Sequence, residues 1–189
     1  ALRALGIVSY RRSETREAHE HFAAARALFE ASGNRMLLGA LLGNVANLQM
    51  EQGRMTEARE TFEAALALHR EVGNRAAEGV TLGNLGTLHY ELGNMAEARA
   101  AYDAALAIHR EAGSLSQEAI TLYNLGILVS REGALREAEA HYRAALRIHR
   151  ETGYRRGEGV VLTQLAELRK IEGEFDEARA GYDAALSIH

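Results

Sequence analysis

Residues 75–114 read RAAEGVTLGNLGTLHYELGNMAEARAAYDAALAIHREAGS, and residues 35–74 read RMLLGALLGNVANLQMEQGRMTEARETFEAALALHREVGN. Twenty of the forty positions are identical, without a gap. The same frame runs on through 115–154 and 155–189 and back through 1–34. The whole chain, 1–189, therefore reads as a single array with partial units at its two ends and no linker. A period near forty residues marks units that cannot bury an apolar face alone and must stack on their neighbours.

Each unit is divided by two glycines, one set being Gly53, Gly93, Gly133 and Gly173 and the other Gly33, Gly73, Gly113 and Gly153. Ser13 stands at the corresponding place in the first unit. Glycine just past a periodic segment is the usual left-handed helix stop. Between the stops lie segments rich in Ala, Leu, Glu and Arg, which are good helix formers. Leu82, Leu85, Leu88 and Leu92 keep helical spacing, as do Ala98, Tyr102, Ala105 and Leu106 in the following segment. Ser114 with Gln117, and Asn94 with Glu97, have capping-box spacing, and Asn34 and Asn74 sit where an N-cap is needed. Small residues recur at Ala18, Ala58, Ala98, Ala138 and Ala178 and at Ala25, Ala65, Ala105, Ala145 and Ala185. Such residues let helix axes cross closely, with Phe22, Phe62, Tyr102, Tyr142 or Tyr182 filling the gap between them.

Composition excludes several classes of function. The chain has no Cys, Pro or Trp, so disulfides and thiolate zinc sites are absent. A net charge of −4 argues against a nucleic-acid surface. No apolar run is long enough to span a bilayer, and a cytoplasmic protein without cofactors is expected. One lysine, Lys170, among 22 basic residues suggests a GC-rich bacterial gene. The start at Ala1, within a predicted helix, reads as a piece of a longer protein.

The repeat resembles the tetratricopeptide family. Its Leu–Gly pair in the first helix appears as Leu5–Gly6, Leu85–Gly86 and Leu125–Gly126, relaxed to Val45–Ala46 and Leu165–Ala166. Its Gly-x-x-x-Glu-Ala run appears from Gly93 to Ala98. The forty-residue period and the Arg70, Arg110 and Arg150 that replace the closing proline resemble the long-helix subclass. That subclass includes kinesin light chain, Pins-type adaptors and arrays in bacterial multidomain signalling proteins. The resemblance implies an all-α fold, a solenoid of antiparallel helix pairs wound as a right-handed superhelix. It also implies a concave groove lined by the first helices, in which an extended peptide is gripped by asparagines.

Asn44, Asn84 and Asn124 recur one period apart, with Gln164 in the same register and Ala4 in the first unit. Asparagine is a mediocre helix former, so its repetition inside helices needs a reason. A carboxamide offers an acceptor and two donors, enough to pair with a peptide group of a ligand. It could equally bond a neighbouring helix and set the repeat spacing, and the two roles can coexist. Less regular positions around the ladder would confer specificity: Asn47, Thr87, Tyr90, Tyr123 and Ile127, with Val80, Ile120, Arg131, Glu51, Thr163 and Glu167 extending the set. Gly43 and Gly83 either open the groove floor to a ligand backbone or permit tight helix packing. Only Arg3 offers a cation on the first helices near this register, which disfavours clamping of an acidic C-terminus.

His69, His109, His149 and His189 recur with the repeat, but equivalent residues about 10 Å apart cannot share an ion. A favourable interaction with the helix dipole is the expected role. Arg and Glu runs such as Arg150–Glu151 and Arg155–Arg156 read as solvated faces. No nucleophile–base pair stands out, so the expectation is a non-enzymatic module binding a protein or peptide. Two alternatives are a self-association module, using open apolar ends at Leu2, Leu5, Val8, Leu186 and Ile188, and a sensor of a small ligand or signalling peptide.

Overall fold

The structure is a computed structural model and describes residues 15–188. Leu2, Arg3, Ala4, Leu5, Gly6, Val8, Ser13 and His189, and the side chains of Ala18 and His19, lie outside the described residues. Among the described residues every regular element is an α-helix: α1 Thr15–Ala31, α2 Arg35–Glu51, α3 Met55–Glu71, α4 Arg75–Glu91, α5 Met95–Glu111, α6 Leu115–Arg131, α7 Leu135–Glu151, α8 Arg155–Ile171 and α9 Phe175–Leu186. The even-numbered elements are the first helices of their repeats. No helix among the described residues is long and apolar enough to cross a membrane.

One turn is used throughout. Each dividing glycine has positive φ, from 63° at Gly113 to 84° at Gly173. The residue after it donates its N–H to the carbonyl five positions back, as in Asn74 to His69 at 2.8 Å and Tyr154 to His149 at 2.9 Å. This is the Schellman closure, and it needs the left-handed glycine to turn the chain within three residues. Asn34 and Asn74 then cap the next helix, accepting from the N–H of Leu37 at 3.1 Å and of Ala77 at 3.2 Å. Ser114 makes no side-chain cap bond although its backbone dihedrals are similar, so its capping box does not form.

The helices pack as two compact units, Ala1–Ala101 and Tyr102–His189, the division falling inside α5. In the first unit α2 pairs with α3, α1 and α4 flank that pair, and α2 also touches α4. In the second, α6 pairs with α7 and α8 with α9, while α7 touches α8. Alanines do bring the helices together: Ala58, Ala65, Ala138 and Ala145 are fully buried, beside buried Phe62 and Tyr142. The Leu–Gly pair has a direct cause in the second unit, where a methyl group on Gly126 would fall inside the ring of Tyr142.

Between repeats the seam is ionic. Arg70 donates through Nε to Glu78 at 2.9 Å, Arg110 to Glu118 at 3.0 Å and Arg150 to Glu158 at 2.8 Å. Arg75 and Arg155 add second bonds to Glu78 and Glu158 at 2.6 and 3.2 Å. Glu78 and Glu158 are buried, at 5% and 7% exposure, whereas Arg150, Glu151, Arg155 and Arg156 are exposed, as expected of a solvated face. Burial raises the carboxyl of Glu78, but the hydrogen bonds and charges of Arg70 and Arg75 outweigh it and leave the group below its ordinary pKa.

Candidate ligand-binding face

Asn44, Asn84, Asn124 and Gln164 are all half-buried on first helices. In the first unit, α2 and α4 bring Asn44, Asn47 and Asn84 around one cavity of about 370 Å³, which Ala40, Gly43, Val80 and Thr81 also line. The Nδ2 of Asn44 is buried without a hydrogen-bond partner. A methyl group at Gly43 or Gly83 would meet nothing within 4 Å. Those two glycines therefore face open space and do not serve tight helix packing.

In the second unit the equivalent place, two periods on, is narrower. Tyr123 stands where Gly43 does and Tyr154 where Asn74 does. The cavity there is about 170 Å³, lined by Ile120, Tyr123, His149, Tyr154 and Val160 with Arg156 among them. Tyr123 leans on Tyr142, ring centres 6.0 Å apart, and burial pushes its hydroxyl pKa up. Tyr154 meets His149 edge-on at 5.3 Å.

Other residues expected here are half-buried on the first helices but do not line these two cavities: Thr87, Tyr90, Asn124, Ile127 and Gln164. The hydroxyls of Thr87 and Thr163 donate to their own helices, to Gly83 O at 3.2 Å and Gly159 O at 3.1 Å. Glu167 is engaged by the hydroxyl of Tyr182 at 2.5 Å and by Lys170 at 3.3 Å, so its carboxylate is tied to its own repeat.

The recurring histidines depart from the expected dipole role. His69, His109 and His149 are buried at 2%, 2% and 5% exposure. Desolvation lowers their pKa despite the neighbouring Glu78, Glu118 and Glu158, so they are neutral near pH 7 and carry no charge to the helix terminus. The imidazole of His69 lies against Gly39, where a methyl group would come within 2.8 Å of Cε1. The signal for burial was in the spacing, since His69 continues the face of Phe62, Ala65 and Leu66 at helical period, as do His109 and His149 in their repeats.

A further cavity of about 380 Å³ lies away from the ladder, lined from α1, α2 and α3 by Phe22, Leu42, Val45, Ala64 and the stem of Arg26. Arg26 and Val45 stand where the later repeats carry Leu66 and Leu85. Among the described residues no cluster of His, Asp or Glu is placed to hold a metal ion.

Comparison with known proteins agrees with this architecture. The family model described as tetratricopeptide repeat matches residues 37–111 and 80–151. The structure of BtubC (BKLC) from P. vanneervenii superposes with a TM-score of 0.85 at 24% identity, over 99% of this chain and 78% of that one. A Rap protein complexed with competence and sporulation factor gives a TM-score of 0.84 at 17% identity, over 97% of this chain and 51% of its own. A signal transduction ATPase with numerous domains and a tetratricopeptide repeat sensor, from Pyrococcus horikoshii, gives 0.88 at 16% identity, over 99% of this chain and 28% of its own. At such identities the likeness speaks for the fold alone. A search of curated proteins returned no match. The two overlapping matches take in more than half of the sequence, and the chain belongs to the tetratricopeptide repeat family.

Proposed function

We propose that this array is a receptor module that holds an extended peptide or partner segment along the face of its first helices, within a larger regulatory protein. The ladder carries the reading. Asn44, Asn84, Asn124 and Gln164 repeat in one register, and Asn44 keeps a buried donor without a partner next to a backbone left open by Gly43. An inter-repeat spacer would have used that donor. A carboxamide row can pair with successive peptide groups whatever the ligand's side chains, which suits a module whose specificity lies in the cavities beside it. Two similar structures lend support by analogy: one holds competence and sporulation factor, and in the other the repeat array is the sensor. The role proposed is scaffolding and recognition, without catalysis.

Selection of a random peptide library on the intact chain tests the reading. Enriched peptides should bind the wild type and lose about 100-fold in affinity to the variant carrying Asn44→Ala, Asn84→Ala and Asn124→Ala, at roughly one hydrogen bond per site. Unchanged affinity in a variant of wild-type helicity would contradict it.

A further inference from the structure

Four buried polar atoms in the first unit lack partners, Asn44 Nδ2, Gln49 Oε1, His69 Nδ1 and His89 Nδ1, and two of them, those of Asn44 and His69, belong to residues that line one cavity. His69 is 2% exposed, and a buried polar side chain without a partner is uncommon enough to need an explanation. The cavity they share is lined by alanines, glycine, asparagines, Val80 and Thr81, with no Lys, Arg, Asp or Glu among them. Arg70 and Arg75, the nearest cations in sequence, are spent on Glu78.

Resting on the reading of this face as a peptide-binding surface, we propose that the cavity between α2 and α4 is a subsite for a neutral carboxamide, the side chain of an asparagine or glutamine in the ligand. Asn44 Nδ2 donates to the ligand's carbonyl oxygen. With the proton of the neutral imidazole on Nε2, His69 Nδ1 accepts from the ligand's amide nitrogen. A carboxylate would enter without a cation and an ammonium without an anion, and each would lose its hydration uncompensated. A purely apolar side chain would leave both atoms unpaired. The volume of about 370 Å³ admits such a side chain together with adjoining backbone over Gly43. The equivalent place in the second unit is narrowed to about 170 Å³ by Tyr123 and Tyr154 and is mostly apolar, so the two places suit different side chains.

The probes are propionamide, propionate and propanol, titrated into the full chain while the side-chain amide of Asn44 and the ring nitrogens of His69 are followed by NMR. Propionamide should give saturable shifts at both residues, with propionate and propanol weaker by about tenfold or more. Gly43→Tyr, which copies the residue found at position 123, should abolish the response. Asn44→Leu should do so too, and serves should the first variant fail to fold. Equal responses to propionamide and propionate, or shifts that persist in both variants, would overturn the subsite. Absence of any saturable shift would also overturn it and leave water as the partner of the two atoms. The probes need no peptide, so this outcome is separable from that of the alanine triple variant, which judges the groove reading alone.

Discussion

Gly43 and Gly126 both lie inside first helices and do opposite things. Alanine at Gly43 would meet open space, whereas at Gly126 its methyl group collides with the buried Tyr142 ring. Gly43→Ala should therefore raise stability by about 0.5–1 kcal/mol, through helix propensity alone. Gly126→Ala should lower it by about 1 kcal/mol net, because overpacking costs about 1–3 kcal/mol against the same propensity gain. Urea denaturation of the two variants checks the sign of each. The histidines make a second prediction at this scale. His69, His109 and His149 titrate in the unfolded chain near 6.5 and lower in the fold, so the unfolded state takes up more protons as pH falls. Stability should drop on going from about pH 7.5 to about pH 5, and replacing all three by glutamine should flatten that dependence. Equal slopes for both proteins in chemical denaturation would contradict the assignment of neutral buried rings.

At the scale of elements, helix lengths and turns were legible because a single device recurs. Eight glycines at fixed spacing each require positive φ, and the apolar period between them is helical. The seam between elements was not legible. Arg70 and Glu78 are eight residues apart across a turn, and nothing in a charge run says which members the turn folds inward. Two spacings in the same register, Arg110 to Glu118 and Arg150 to Glu158, carried the information but needed the turn geometry to be read. Glu78→Gln should cost about 1–2 kcal/mol, since it removes the charge from two charge-assisted bonds at a buried site. Its carboxylate is depressed below the ordinary 4.5, so the contribution it makes is present above that pH and fades as pH falls through the lower folded value. A melting temperature for Glu78→Gln equal to wild type at pH 7 would show that the seam is merely superficial.

For the whole molecule, the uniform frame correctly announced a helical repeat array, and the family match confirms it. The same uniformity concealed differences among repeats. Contacts divide the described helices within α5, where the repeat pattern is undisturbed. Cavities at equivalent boundaries differ about twofold in volume because Gly43 and Asn74 in one unit are matched by Tyr123 and Tyr154 in the other. A regular ladder with irregular neighbours is what a receptor needs when it grips a backbone generally and side chains selectively. The most direct check is an NMR map of the side-chain amides of Asn44, Asn84 and Asn124 while a library-selected peptide is added. Those three amides should shift together and saturate at one equivalent, while the outer residues Glu60 and Asp103 on α3 and α5 stay still. Saturation with shifts confined to α3 and α5 and none at the three asparagines would contradict a first-helix binding face.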